Sequence, residues 1–141
     1  MGIIDKLKGS VGIGQPHLSV TLENSQVHRG TAIKGKIMLT AQDREVAINN
    51  IAIVFTQIIK QSELNEKKKT HEMKNHSVKL AQKDIPKNGQ LLKAGQSISD
   101  DFTIDISSEA PSTAQLVSYR LHIAVDMDGM DASETLEIFV V

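Results

Sequence analysis

The sequence contains no cysteine, which excludes a disulfide framework, a thiolate nucleophile and a cysteine-ligated zinc site. Aromatic residues are also scarce, with no tryptophan, one tyrosine and three phenylalanines among 141 residues. A hydrophobic core must therefore consist mainly of Ile, Val and Leu, and β-branched side chains favour pleated strands. These absences favour an all-β protein whose function does not rest on cysteine chemistry.

Neither sign of charge dominates the chain. Lys and Arg together number 16 and Asp and Glu 17, which gives a net charge of −1. A balanced chain has no overall positive field to attract nucleic acid, so we expect no nucleic-acid partner. No apolar run approaches the ~20 residues that span a bilayer, and the first residues do not match a secretory signal peptide. We therefore expect a cytoplasmic protein.

Residues 1–16 differ in pattern from the rest of the chain. Their large apolar side chains recur at helical spacing: Ile3, Ile4, Leu7 and Val11. Charges suited to the helix dipole accompany them, because Asp5 precedes Lys6 and Lys8. This predicts a short amphipathic helix over 3–11 and a glycine-rich lead-in. Isolated helices this short are marginal, so we expect it to lie on the flank of the domain; contact with a partner or peripheral contact with a membrane is the alternative.

From residue 17 to 141 the chain alternates apolar and polar residues, with turn residues between the runs. This pattern predicts a single antiparallel β-sandwich of about seven strands. The clearest strands are 31–39 and 117–127, and no helix of ~10–15 residues separates strands as a parallel sheet would require. Asn49-Asn50 predicts a bulge. We expect a turn at 87–89, and at Asp128-Gly129 a hairpin whose connection extends toward Glu134.

Residues 60–77 are strongly charged and predict a long hairpin that projects into solvent. Its far end carries the one basic cluster of the chain, Lys67, Lys68 and Lys69. A nucleic-acid site would need interleaved aromatic residues, which are missing there. The cluster is either a solvated hairpin end or a docking point for an acidic surface of a protein partner. Lys67, Lys68 and Lys69 are therefore the candidate partner-binding residues.

No catalytic or cofactor site emerges from the spacing of reactive residues. Ser118, His122 and Asp126 share a strand face, but four-residue steps separate them by roughly 13 Å, far beyond hydrogen-bond contact. The acidic residues around Gly129 do not fit a calcium-binding EF-hand loop, and the five histidines lack zinc spacing. We expect no enzyme activity, no metal and no cofactor.

Three segments together resemble a known family. They are the glycine-bearing turn and strand at 30–37, the segment from Ala94-Gly95 through Phe102 to Pro111, and the paired strands over 119–140. The chain is similar to the bacterial sporulation-control protein family (SpoOM type), which has an arrestin-like, immunoglobulin-like sandwich fold. Arrestins have two such sandwiches, whereas this chain has the length for one. The resemblance implies a regulatory protein that binds other proteins and carries no catalytic residues.

Together these observations favour a non-enzymatic, cytoplasmic regulatory or scaffold protein that acts through protein–protein contacts. The partner itself stays open, as does a homodimer in which two copies mimic the two-sandwich arrangement. The alternative is a ligand-binding β-sandwich for Ca²⁺ or carbohydrate, although few aromatic residues are available to stack on a sugar ring.

Overall fold

The computed structural model describes residues 15–141, and this part of the chain is all-β. The helix predicted over 3–11 lies outside the described residues. Nothing between residues 15 and 141 is helical, so this range holds no helix suited to crossing a membrane. The strands, in chain order, are β1 (His17–Leu22), β2 (Gln26–Val27), β3 (Ala32–Thr40), β4 (Val46–Asn65), β5 (Thr70–Leu92), β6 (Ser97–Asp105), β7 (Val117–Met127) and β8 (Met130–Val140).

The strands form two sheets. One has three strands in the order β1-β3-β6, and the other has five in the order β2-β8-β7-β4-β5. All pairings are antiparallel except that between β2 and β8, in which Gln26 lies opposite Phe139 and Val27 opposite Val140. The all-β, arrestin-like prediction is confirmed. The described residues contain eight strands rather than about seven, because two-residue β2 is too short to show an alternating pattern.

The residues that form the core are those that the alternation of apolar and polar residues predicts. In β3 the side chains of Ile33, Ile37 and Leu39 are buried, and the lysines between them are exposed. In β7 the buried face runs from Tyr119 to Met127 at every second residue. The Phe55 ring stacks on the Tyr119 ring, with centroids 5.5 Å apart and planes inclined by 10°. Around this pair the core is almost entirely aliphatic.

Gly35 interrupts the buried face of β3 because the ring of Phe102 occupies the space beside it. The two residues lie opposite each other in the β3–β6 pairing. A Cβ atom at position 35 would stand 2.6 Å from Cζ of Phe102 and 3.0 Å from the carbonyl oxygen of Thr21. The glycine is therefore required for close packing. Because glycine has only a hydrogen atom in place of Cβ, the ring of Phe102, the largest side chain of β6, can lie across β3.

Asn49 is the extra residue of a bulge in β4, as predicted. Ile48 lies opposite Met127 and Asn50 opposite Asp126, so the residue between them has no partner in β7. Its side chain turns outward, and Nδ2 donates a hydrogen bond of 2.8 Å to Oδ1 of Asp128. The bulge thereby links β4 to the turn between β7 and β8.

The turn expected at 87–89 is wrong: these residues lie inside β5. They form a bulge opposite Asn49, in which Asn88 and Gly89 take positive φ angles of 55° and 80°. Two successive left-handed residues let β5 absorb the extra length and resume its pairing. Lys87 is half-buried as a result, and its Nζ lies 2.9 Å from Oδ1 of Asp100 in β6. This ion pair joins the edges of the two sheets.

The hairpin between β7 and β8 is tighter than the sequence indicates. Met127 pairs with Met130, so the connection consists of Asp128 and Gly129 alone, and Gly129 has a φ of 80°. The expected extension toward Glu134 is wrong, because Asp131 to Glu134 already belong to β8. These four residues, Asp-Ala-Ser-Glu, include no large apolar side chain, so the period-two pattern did not reveal the strand.

Tyr119 fixes the long connection between β6 and β7. Its hydroxyl donates a hydrogen bond to the carbonyl oxygen of Pro111 and accepts one of 3.2 Å from Nε2 of Gln57. The ring itself is fully buried. Immunoglobulin-like sandwiches use a related device, the tyrosine corner, to hold a connection against the core.

Candidate functional site

The far part of the β4–β5 hairpin extends beyond the sheet. Pairing between β4 and β7 stops at Ile59 and Val117, whereas pairing between β4 and β5 continues to Asn65 and Thr70. We call residues 60–75 the ribbon. Six further residues on each strand correspond to an extension of about 20 Å. Within residues 15–141 neither outer edge of the ribbon pairs with another strand. The one main-chain contact there is a hydrogen bond from the Lys60 amide to the Leu116 carbonyl, at the base of the ribbon.

One face of the ribbon presents two large apolar side chains to solvent. Ser62 lies opposite Met73 and Leu64 opposite His71, so Leu64 and Met73 are diagonal neighbours on the same face. Diagonal side chains of this size lie within reach of each other. Their exposed fractions are 58% for Leu64 and 57% for Met73. The sequence shows both as isolated apolar residues; only the register reveals that they form a pair.

The opposite face of the ribbon is polar. Where the ribbon joins the sheet, Nε2 of His76 contacts Oε2 of Glu63, and both side chains are substantially exposed. Even an ion pair this exposed contributes only ~0–1 kcal/mol to the free energy of unfolding. His71 and His76 are both exposed.

The structure brings Lys67, Lys68 and Lys69 together at the far end of the ribbon. They belong to the turn between Asn65 and Thr70, and all three side chains are exposed. Lys69 has a φ of 54°, a left-handed conformation that favours glycine. Their location agrees with a projecting hairpin end; partner binding by these lysines stays a prediction.

Replacing Lys69 with glycine should stabilise the protein. The left-handed conformation strains a lysine but not a glycine, and part of the gain is offset by the greater freedom of glycine in the unfolded chain. We expect an increase of about 0.5–1 kcal/mol in the free energy of unfolding, measured by chemical denaturation. Lys68→Gly is the matched control, since φ at that position is not positive. An equal gain in both variants would contradict the strain explanation.

The residues tested as a catalytic triad do not come together. Ser118 lies opposite Ile58, His122 opposite Val54 and Asp126 opposite Asn50. Nδ1 of His122 is instead 2.7 Å from Oγ1 of Thr135 on β8. In the acidic hairpin Asp126 faces Asp131, and across residues 15–141 no group of three or more His, Asp or Glu side chains is placed to hold a metal ion.

Comparison with known proteins identifies both a family and similar solved structures. A family model described as SpoOM protein matches residues 4–135. The solved structure of Spo0M, the sporulation control protein from Bacillus subtilis, matches with a TM-score of 0.75 and 17% sequence identity, covering 91% of this chain and 50% of that one. The chain thus spans about half the length of that protein. No curated protein sequence matches. The resemblance stated from the sequence is confirmed, and the chain belongs to the Spo0M (SpoOM protein) family.

Proposed function

We propose that the chain is a non-enzymatic, cytoplasmic regulatory scaffold that acts by binding other proteins, and that the ribbon is its contact surface. Membership of the sporulation-control family supports a regulatory role. The ribbon is proposed as the contact surface because β4 and β5 extend beyond β7. Nothing in the sandwich core requires this extension, because the buried residues of β4 end at Ile58.

The chemistry of the ribbon favours one kind of partner segment. Strand edges that lack a neighbouring strand can accept an added strand through main-chain hydrogen bonds. Leu64 and Met73 offer an apolar contact beside those edges, and the lysines at the far end favour an acidic partner surface. Together these features suit an extended segment with apolar and acidic residues. Flexible methionine side chains adapt to partners of different shape.

The test is capture of partners by crosslinking from the lysate of the native host, with quantitative mass spectrometry. We expect Lys67→Glu, Lys68→Glu and Lys69→Glu together to reduce capture of specific partners at least several-fold. The melting temperature should stay unchanged, because all three side chains are exposed. Leu64→Ser with Met73→Ser should reduce capture of the same partners, because the three lysine changes and these two changes alter one surface.

A matched charge reversal separates the ribbon from a general charge effect. Lys34, Lys36 and Lys93 are exposed and lie outside the ribbon, so their change to Glu alters the net charge equally. Partners retained by this control and lost by the ribbon variant would support the proposal. Equal loss in both, or full retention by the ribbon variant, would remove the ribbon as the contact surface. Sedimentation of the purified chain decides whether a second copy is among the partners.

A further inference from the structure

The two flanks of the sandwich are closed differently. On one flank, the Lys87–Asp100 ion pair joins the edges of β5 and β6. On the other flank, β1 and β8 are the facing edges. There β2 pairs with only the last two residues of β8, so from Met130 to Ile138 the outer edge of β8 pairs with no strand within residues 15–141. Such an edge can accept a strand from another molecule through main-chain hydrogen bonds.

A groove of about 330 Å³ runs along this second flank. Its apolar lining includes Leu18 of β1 with Met130 and Ala132 of β8, and these three side chains are only partly buried. Asp131 and Glu134 also line the groove, and both are exposed. No Lys or Arg of the described range 15–141 is among its lining residues. The groove therefore combines apolar side chains with negative charge.

The ribbon complements this groove in charge and matches its apolar character. Leu64 and Met73 form the exposed apolar pair of the ribbon. Residues 60–75 contain five lysines and three glutamates, which gives a net charge of +2. We propose that the ribbon of one copy docks along β8 in the groove of a second copy, with the Leu64–Met73 pair on Met130 and Ala132 and the lysines beside the acidic side chains of the groove.

The unpaired part of β8 is itself the kind of segment that suits the ribbon. From Met130 to Leu136 it reads Met-Asp-Ala-Ser-Glu-Thr-Leu, an extended segment with apolar and acidic residues. Both this segment and the ribbon have an outer edge without a neighbouring strand within residues 15–141, so the two edges can pair. The inference rests on the contact surface proposed above, and it names the partner of that surface as a second copy of the chain.

The ribbon cannot reach the groove of its own chain. It begins beyond the pairing of Ile59 with Val117, at one end of β7, whereas the groove lies at Met127, at the other end. Ten residue steps along β7 separate these ends by about 33 Å. The ribbon also extends away from the groove, because β4 continues past β7 in the direction opposite to Met127. Contact between ribbon and groove therefore requires two molecules.

A contact between two different surfaces leaves each pair of molecules with one unused ribbon and one unused groove. Association can therefore continue head to tail unless a ring closes. The ribbon offers a footprint of about 20 by 10 Å, which is small for a protein interface. We therefore expect association that is weak, increases with protein concentration and decreases with salt.

Sedimentation equilibrium with two complementary variants tests this contact. Leu64→Ser with Met73→Ser removes the apolar pair of the ribbon, and Asp131→Lys with Glu134→Lys reverses the charge of the groove. The average mass of the wild type should rise with concentration, whereas each variant alone should stay monomeric. An equimolar mixture of the two should form dimers and no larger species, because each pair has one intact ribbon and one intact groove.

Asp101→Lys with Glu109→Lys is the matched control for the groove variant. Both residues are exposed and lie outside the groove, and the change in net charge is the same. This control should associate like the wild type. A wild type that is monomeric at its highest soluble concentration would overturn the inference, and so would a groove variant that associates like the wild type. Ribbon-dependent capture of other proteins by a monomeric chain would leave the function proposed above standing, so the two failures are distinguishable.

Disulfide trapping gives an independent measurement, since the chain contains no cysteine of its own. Met73→Cys in one molecule and Ala132→Cys in another should form a crosslinked heterodimer on mild oxidation. Ala132→Cys mixed with Lys36→Cys is the control, because position 36 is exposed and lies outside both ribbon and groove. We expect crosslinking at least several-fold faster in the first mixture. Equal rates in the two mixtures would contradict the docking of the ribbon on β8.

Discussion

Gly35→Ala is expected to lower the free energy of unfolding by about 1–3 kcal/mol, although alanine is the smallest possible side chain to add. The added methyl group would stand 2.6 Å from Cζ and 2.7 Å from Cε1 of Phe102. The ring has little room to withdraw, because Phe102 is buried in the core cluster. The carbonyl oxygen of Thr21, 3.0 Å away on β1, limits movement in the other direction. Thermal and urea denaturation measure the loss, with about 2–4 °C of melting temperature per kcal/mol.

A double-variant cycle identifies the Phe102 ring as the cause. Phe102→Leu alone should destabilise the protein by removing buried ring atoms, but it also opens space beside position 35. In that background Gly35→Ala should cost clearly less than in the wild type, giving a coupling energy between the two contacting sites. An equal cost of Gly35→Ala in both backgrounds would show that backbone effects, rather than the ring, decide the result.

Tyr119→Phe should cost about 1–3 kcal/mol while leaving the core volume almost unchanged. The Phe55–Tyr119 stacking does not need the hydroxyl, so the loss isolates the polar contacts. Without the hydroxyl, the carbonyl oxygen of Pro111 loses its donor and the amide of Gln57 loses its acceptor. Unsatisfied polar groups beside a packed core are costly because they have given up water without a replacement.

The same variant should loosen the β6–β7 connection selectively. The amide of Thr113 donates to the carbonyl of Val140, and the amide of Ala114 donates to that of Val117. Hydrogen exchange at these two amides should accelerate more in Tyr119→Phe than exchange in the centre of β7. Adding Gln57→Leu should recover part of the stability by removing one unsatisfied group. Uniform acceleration throughout the protein would show that the hydroxyl contributes to global stability without holding the connection.

The sequence predicts the core well because burial and alternation have the same period. Every second residue of β7 from Tyr119 onward is apolar and buried. A one-residue shift of register would expose all of them, so the pattern leaves one solution. The bulge predicted from the turn-tolerant Asn49-Asn50 pair lies where the buried face of β4 changes phase, between Ile48 and Ile51.

Features that depend on the neighbouring strand cannot be predicted from the sequence as the core can. Lys87-Asn88-Gly89 has the composition of a turn, and it becomes a bulge only because β4 supplies partners on both sides, Gln90 with Ile48 and Pro86 with Asn50. Residues 131–134 are polar or small, yet their pairing with β7 makes them a strand. Local composition indicates where the backbone can bend; the neighbouring strand decides whether it does.

In the candidate site, too, some features can be predicted from the local sequence and others depend on strand pairing. Charge and a lack of apolar residues predict a projecting hairpin with Lys67, Lys68 and Lys69 at its end, and the structure places them there. The open edges of the ribbon could not be predicted, because they depend on where β7 stops pairing with β4. The exposed Leu64–Met73 pair required the exact register of the hairpin, which the number of residues in the turn determines.

The two-residue strand β2 has a consequence for the time course of folding. Its partners, Phe139 and Val140, are the last residues of β8, and the amide of Arg29 also donates to the carbonyl of Val141. Residues near the two ends of the described chain must therefore meet before this corner of the sheet is complete. Such distant contacts slow folding, because the entropy of closing a long loop is lost before the contact forms. We expect the β4–β5 hairpin to form early and β2 to dock last, which leaves the outer edge of β8 exposed longest in a newly made chain.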